Sequence, residues 1–328
     1  MSLTVVGSIA FDTVTTPTGT RERMLGGAAT HFALAASYFD RVHLVGPVGN
    51  DFGEEHMDVL RTRGSNVDDV ELVAGGETFF WQGEYGWDLN TRETIDTQLN
   101  VFESFEPKLS ETSRACDLLF LANIQPQLQL QVLDQCGSPG YVALDSMNLW
   151  IEIARDALVE VIRRVDCVTL NDAELRQLTD KPNLITAARE VLDWGPSVVV
   201  AKQGEYGAAL VTEDGYFALP AYPLPQVVDP TGAGDTFAGG FLGYIARNID
   251  QAADGDVLRN AMAYGSALAS FNVEDFGTER LQELVAEEVV ARVDDLQGFS
   301  SFQHAEIELS GEPPRVAASG NQTSRETP

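Results

Sequence analysis

Short, continuously apolar runs recur along the chain, and most lead into a segment of helical period. They are Leu3–Val6, 41–45, Leu118–Ala122, Tyr141–Leu144, Cys167–Leu170 and Ser197–Ala201. Apolar character without alternation predicts strands covered on both faces. Helices are predicted over about 28–39, 54–63 and 127–135, and a strand-then-helix rhythm predicts a mostly parallel sheet of the α/β class. Two places break the rhythm. Thr78–Glu84 and Glu93–Val101 follow one another across a polar turn at Asp88–Asn90 with no helix between, which predicts an antiparallel hairpin. Ala208–Thr212 and Tyr216–Leu219 predict a second hairpin. The polar stretch from Thr13 to Arg23 reads as an edge strand, and Asp12 is expected just beyond the end of the first strand. The loop Gly46–Gly53 is expected to be structural. Asn123, Asp145, Asn171 and Lys202 each close an apolar strand, so they are expected on one rim, where open α/β sheets bind ligands.

The densest chemistry lies in Val227–Phe241, where a Pro-Thr-Gly-Ala-Gly turn (230–234) opens an apolar helix. Phe237, Phe241, Tyr244 and Ile245 fall on one face of that helix. Its first amides lack partners within the helix, and the positive end of the dipole lies there, which makes an anion site of Gly232, Ala233 and Gly234. Asp235 stands at the same mouth. A carboxylate would repel a bound phosphate, so its presence points to a different role, that of taking the proton of a hydroxyl that attacks phosphorus. The helix dipole is expected to keep it ionised. Gly239, Gly240 and Gly243 inside the helix each cost about 1 kcal/mol relative to Ala, which marks function or very close packing. Further upstream, Gly26-Gly27 precedes an Ala-rich helix that carries His31.

Asp-Pro-Thr-Gly-Ala-Gly-Asp-Thr-Phe (229–237) resembles the C-terminal signature of the ribokinase-like (PfkB) kinases, and the likeness runs from about residue 5 to about residue 277. It implies a three-layer sandwich with a central, mostly parallel sheet and a small β-lid. The kinase domain would span 1–298, with lid segments at about 13–24 and 70–109 and a polar, disordered tail at 299–328. It implies ATP-dependent phosphorylation of an alcohol, with Asp235 as general base and Gly232–Gly234 as the anion hole. Asp12, Gly26, Gly27, His31 and Asn123 would bind the acceptor; His31 stands where the family often has Asn. Asn171, Lys202, Gly204, Thr231 and Asn272 would bind ATP. Glu174, in Asn-x-x-Glu (171–174), would hold Mg²⁺ through water, which suits a cation that dehydrates reluctantly. Asn171 and Glu174 equally suit a helix cap. Asp229 would serve a monovalent cation where K⁺ activates. A sugar is the expected acceptor; a nucleoside or inositol kinase is the alternative, and a non-catalytic sugar- or nucleotide-binding regulator is a further one. The lid is also a surface for a homodimer.

The 328 residues are 44% hydrophobic, enough for one large domain. The net charge of −29 disfavours nucleic acid and anionic membranes as partners. Lys108, Lys181 and Lys202 are the only lysines, a balance expected of a protein working in high salt. Cys116, Cys136 and Cys167 form neither a disulfide framework nor a zinc knuckle, and no signal peptide or spanning run is expected, so the expected compartment is a reducing cytoplasm. Neither Gly-x-Gly-x-x-Gly after the first strand nor a P-loop is present, which argues against a dinucleotide enzyme or a P-loop kinase.

Overall fold

Alternate residues of each apolar run reach opposite faces of one large sheet, because successive side chains of a strand point to opposite sides. Leu3, Val5, Leu118, Phe120, Val198 and Val200 enter one core. Their neighbours Val6, Leu119, Leu121, Val199 and Ala201 enter the other. Helices Ala28–Ala36, Ala233–Arg247 and Gly255–Asn272 cover the first face. Helices Pro126–Gln135, Arg155–Ile162, Asp172–Thr179 and Leu184–Trp194 cover the second. The result is a three-layer sandwich. The protein is known here as a computed structural model that describes residues 2–304.

The strands are β1 (Leu3–Val6), β2 (Ala10–Thr16), β3 (Gly19–Gly26), β4 (Val42–Val48), β5 (Asn66–Leu72), β6 (Phe79–Tyr85), β7 (Arg92–Gln98), β8 (Leu118–Leu121), β9 (Tyr141–Asp145), β10 (Cys167–Asn171), β11 (Val198–Lys202), β12 (Ala208–Thr212) and β13 (Tyr216–Leu219). The large sheet runs β13-β12-β11-β10-β9-β8-β1-β4-β5. It is parallel from β5 to β11 and closes with the antiparallel β11–β12–β13 edge. Strands β3-β2-β6-β7 form a separate sheet, in which β2 and β6 pair in parallel and the outer pairs are antiparallel.

Several boundaries differ from the sequence reading. Asp12 does not lie beyond β1; it lies within β2, in the small sheet. Gly46–Val48 continue β4 and are buried, so the expected loop begins later. Val70–Leu72 belong to β5 in the large sheet rather than to the second sheet. Strand β5 is half-exposed and polar because it is an edge, which hides it from an apolar-run search. Two helices, Glu279–Glu283 and Ala286–Ser300, close the domain, so the expected tail starts inside a helix. Residues 305–328 of that tail lie outside the described residues.

The small sheet is fastened to the large domain through Phe11 and Leu25, which enter the first core, and through scattered polar contacts. Tyr85 Oη lies 3.2 Å from Thr231 Oγ1. Thr18 Oγ1 donates to the Val228 carbonyl at 3.3 Å, and Asn90 Nδ2 donates to Glu205 at 3.1 Å. Arg23 pairs with Asp51 at 2.9 Å.

Candidate active site

Gly232 takes φ 74°, a left-handed conformation that favours glycine, and it turns the chain into the helix Ala233–Arg247. The Ala233 amide folds back onto the Pro230 carbonyl at 3.3 Å, so of the three expected anion-hole amides this one is already engaged. The Gly232 and Gly234 amides have no backbone acceptor among the described residues. A Cβ placed on Gly234 would stand 3.1 Å from Lys202 Nζ, so a buried ammonium and the free amides share one mouth. Farther along the helix the glycines serve packing. A Cβ on Gly240 would stand 2.8 Å from the Tyr264 carbonyl of the neighbouring helix, and one on Gly239 would strike the Phe32 carbonyl.

Three strand ends meet this mouth. Asp145 at the end of β9 pairs with Lys202 at the end of β11. Between them, at the end of β10, Asn171 and Glu174 cap each other. Asn171 Oδ1 accepts from the Glu174 amide at 2.8 Å, and Glu174 Oε2 accepts from the Asn171 amide at 2.8 Å. Burial, with Asp145 beside it, pushes the Glu174 carboxyl up to about 7. Burial alone would lower the Lys202 pKa, but Asp145, Glu174 and Asp235 reverse this and raise it, so the ammonium stays charged. Asp235 is half-buried at the start of its helix. Burial and Asp145 raise its pKa to about 7, against the pull of Lys202, its own amide and Arg92. Burial and the neighbouring Asp145 carboxylate thus act against the ionisation expected from the helix dipole.

On the other side stands Asp12, 6% exposed, with its carboxylate pressed against Gly26 and receiving the Gly27 amide. Burial and Asp229 raise it to about 7, and Asp235 adds to the shift. Asp12 and Asp235 are thus close enough to act on each other across the site. Asn123, after β8, accepts from Trp150 Nε1 at 3.0 Å, so its amide oxygen is engaged in holding that indole. Gly204 opens a short turn below Asn90 of the small sheet, at the outer edge of the cleft.

The family model for pfkB family carbohydrate kinases matches residues 2–283. The chain belongs to this family. It is an ATP-dependent kinase with a ribokinase-like fold. A cytidine kinase of Thermococcus kodakarensis is 32% identical over 256 residues, covering 75% of this chain and 89% of that protein. A nucleoside kinase of Methanothermobacter thermautotrophicus is 28% identical over 77% of this chain and 80% of its own. Among solved structures, a Burkholderia thailandensis nucleoside kinase in complex with inosine superposes with a TM-score of 0.73 at 21% identity, covering 90% of this chain and 98% of that one. That likeness speaks for the fold. Among the described residues no helix is long and apolar enough to cross a membrane.

Three of the residues expected to touch ligands in this kinase are turned inward instead. Asn272 is 1% exposed; its Nδ2 donates to the Thr231 carbonyl at 2.8 Å, and its Oδ1 faces Thr236 Oγ1 at 3.1 Å and His31 Nδ1 at 2.9 Å. His31 is 1% exposed and lies beneath Gly232, so neither residue lines the cleft. Asp229 is wholly buried; its Oδ1 accepts from the Thr231 amide at 2.8 Å and its Oδ2 from the Gly277 amide at 3.1 Å. It braces the loop, with a second lone pair left on each oxygen. Conversely, Arg92 on β7, which the sequence pattern did not single out, lies near enough to the site to act on its carboxylates. Its guanidinium lies over the Trp81 ring at 5.3 Å and lowers the pKa of Asp12, Glu174 and Asp235. The available signal was an arginine directly across the hairpin from Tyr85.

Proposed function

We propose that this kinase transfers the γ-phosphoryl group of ATP to a hydroxyl of a nucleoside. The observation that carries the chemistry is the Lys202 ammonium set against Gly234, beside the Gly232 and Gly234 amides and Asp235. Such a mouth attracts an anion and holds a base next to it. The nucleoside acceptor, in place of the sugar expected from sequence, rests on the likeness to the cytidine and nucleoside kinases.

In this reading the acceptor lies between Asp12, Gly26 and Gly27 on one side and Asp235 on the other. Asp235, with a pKa of about 7, takes the hydroxyl proton near neutral pH, where a general base is most effective. The two free amides and Lys202 stabilise charge on the transferring group, since phosphoryl transfer demands positioning and electrostatics above all. Arg92, carried by the small sheet, adds a planar cation suited to phosphate oxygens and helps that sheet act as a lid that excludes water.

Family members use ATP with a divalent metal. The donor set fits Mg²⁺ held mainly by water and phosphate: Glu174 and Asp145 flank the nucleotide side, and among the described residues no group of three or more His, Cys, Asp or Glu is placed to hold a metal ion. The ion would supply positive charge to a pocket in which carboxylates outnumber cations. Cys116, Cys136 and Cys167 are buried free thiols, which suits the cytoplasm.

The deciding experiment is a coupled ADP-release screen over cytidine, adenosine, inosine, ribose, deoxyribose, fructose and inositol. Release with a nucleoside is expected. Release with free sugars alone would overturn the acceptor class, and ATP binding without release for any acceptor would favour a regulator.

A further inference from the structure

On the inward side of the Gly232–Gly234 loop, one carboxamide ties three elements together. The Asn272 Nδ2 donates to the carbonyl of Thr231, the residue before the loop. This fixes the amide orientation, so Oδ1 must be the atom facing Thr236 Oγ1, in the first turn of the following helix, and His31 Nδ1, on the helix Ala28–Ala36. An oxygen can only accept, so His31 carries its proton on Nδ1. The imidazole lies flat beneath Gly232, where an added Cβ would fall among the ring atoms Nδ1, Cε1 and Nε2. The loop is therefore clamped before its first glycine and after its last, and supported in the middle by a ring. Burial lowers the His31 pKa to about 4, so this support is neutral throughout the working range. Both side chains are 1% exposed, and the second ring nitrogen of His31, Nε2, has no hydrogen-bond partner among the described residues.

We propose that the His31–Asn272 pair is the positioning device of the anion loop, aiming the Gly232 and Gly234 amides through the backbone and thereby setting kcat rather than nucleotide affinity. The inference rests on the loop being the element that stabilises charge in transfer. Donors aimed at a developing charge lose most of their effect when displaced by about 1 Å, a loss of about 10²-fold in rate. Ground-state binding of ADP, spread over the cleft, is far less sensitive to that displacement.

Two substitutions at position 31 separate bond from bulk. His31→Phe keeps a ring and loses the N–H; His31→Asn can place an N–H where Nδ1 stands and loses the ring. With the wild type's best acceptor, Asn272→Ala and His31→Phe are expected to lose at least about tenfold in kcat, while His31→Asn stays within about threefold. Calorimetry with ADP alone should give affinities within about threefold of wild type for all three, whereas ADP with aluminium fluoride, a mimic of the transferring group, should bind at least about tenfold more weakly to Asn272→Ala and His31→Phe. A folded His31→Phe with wild-type kcat, or a loss appearing equally in ADP affinity, would overturn the inference. A wild type active only on sugars would sink the nucleoside reading and leave this test standing on the sugar. The aluminium fluoride measurement decides it where turnover is too slow to measure.

Discussion

Asp229 and Asp235 share one short segment and have opposite lives. Asp229 is wholly buried, and each of its oxygens accepts a backbone amide. Asp235 is half-buried, and among the described residues its carboxylate receives only its own backbone N–H while it faces Asp145, Lys202 and Arg92. Burial raises the pKa of both, so burial is not what distinguishes them. The number of backbone amides is. A carboxylate that accepts an amide on each oxygen ties the backbone together; one with fewer partners beside a cleft is available to take a proton.

That contrast can be broken most forcefully at Asp235. Asp235→Asn should lower kcat by about 10²–10⁴-fold with ATP affinity nearly unchanged by calorimetry, and an active variant would dismiss Asp235 as the base. Asp229→Ala should act first on stability. It leaves the Thr231 and Gly277 amides without their acceptor, at about 1–3 kcal/mol for each that stays buried, measured by urea unfolding; wild-type stability would end its role as a brace.

Removing Arg92 should sharpen the picture of the cleft carboxylates. Without that cation Asp12, Glu174 and Asp235 hold their protons more tightly, so the acid limb of the kcat/KM profile of Arg92→Ala should move to higher pH. The limb belongs to the coupled group rather than to one residue. A limb that stays in place would remove Arg92 from the cleft. The smallest effect is on the ligand-free protein. Asp12, Glu174 and Asp235 all sit near 7 when folded, above their ordinary 3.8 or 4.5, so the folded state binds more protons between those values. Their contribution to stability is full below the ordinary values and is lost as pH rises through about 7. His31, lowered to about 4, acts in the opposite sense between about 4 and 6.5, as does the lowered His43, while the raised Asp145 and Asp229 act with the three carboxylates. A Tm higher at about pH 6 than at about pH 8 is expected, and the reverse order would show that burial does not govern these carboxylates.

The large sheet was legible because strands covered on both faces must be apolar throughout, as Leu118–Leu121 and Val198–Ala201 are. Strand β5 was not, because an edge strand such as Asn66–Leu72 keeps a half-exposed face and carries acids. At the site, the grouping of residues 229–236 around one loop could be read from their order in the chain. Which of them face outward could not. Asn, Asp and His cap backbone as readily as they bind ligands, and only tertiary contacts filled the valences of Asn272, Asp229 and Asn123. Arg92 escaped notice because an arginine on a polar hairpin is ordinary, and its significance depends on the small sheet folding over carboxylates distant in sequence.

Gly239 and Gly240 hold the helix that carries Asp235 in backbone contact with both of its neighbours. The sheet opposite joins the large domain through Phe11 and Leu25 in the first core and through polar contacts such as Tyr85 with Thr231 and Asn90 with Glu205. In the proposed reading, that sheet parts from these polar contacts to let the phosphorylated product leave.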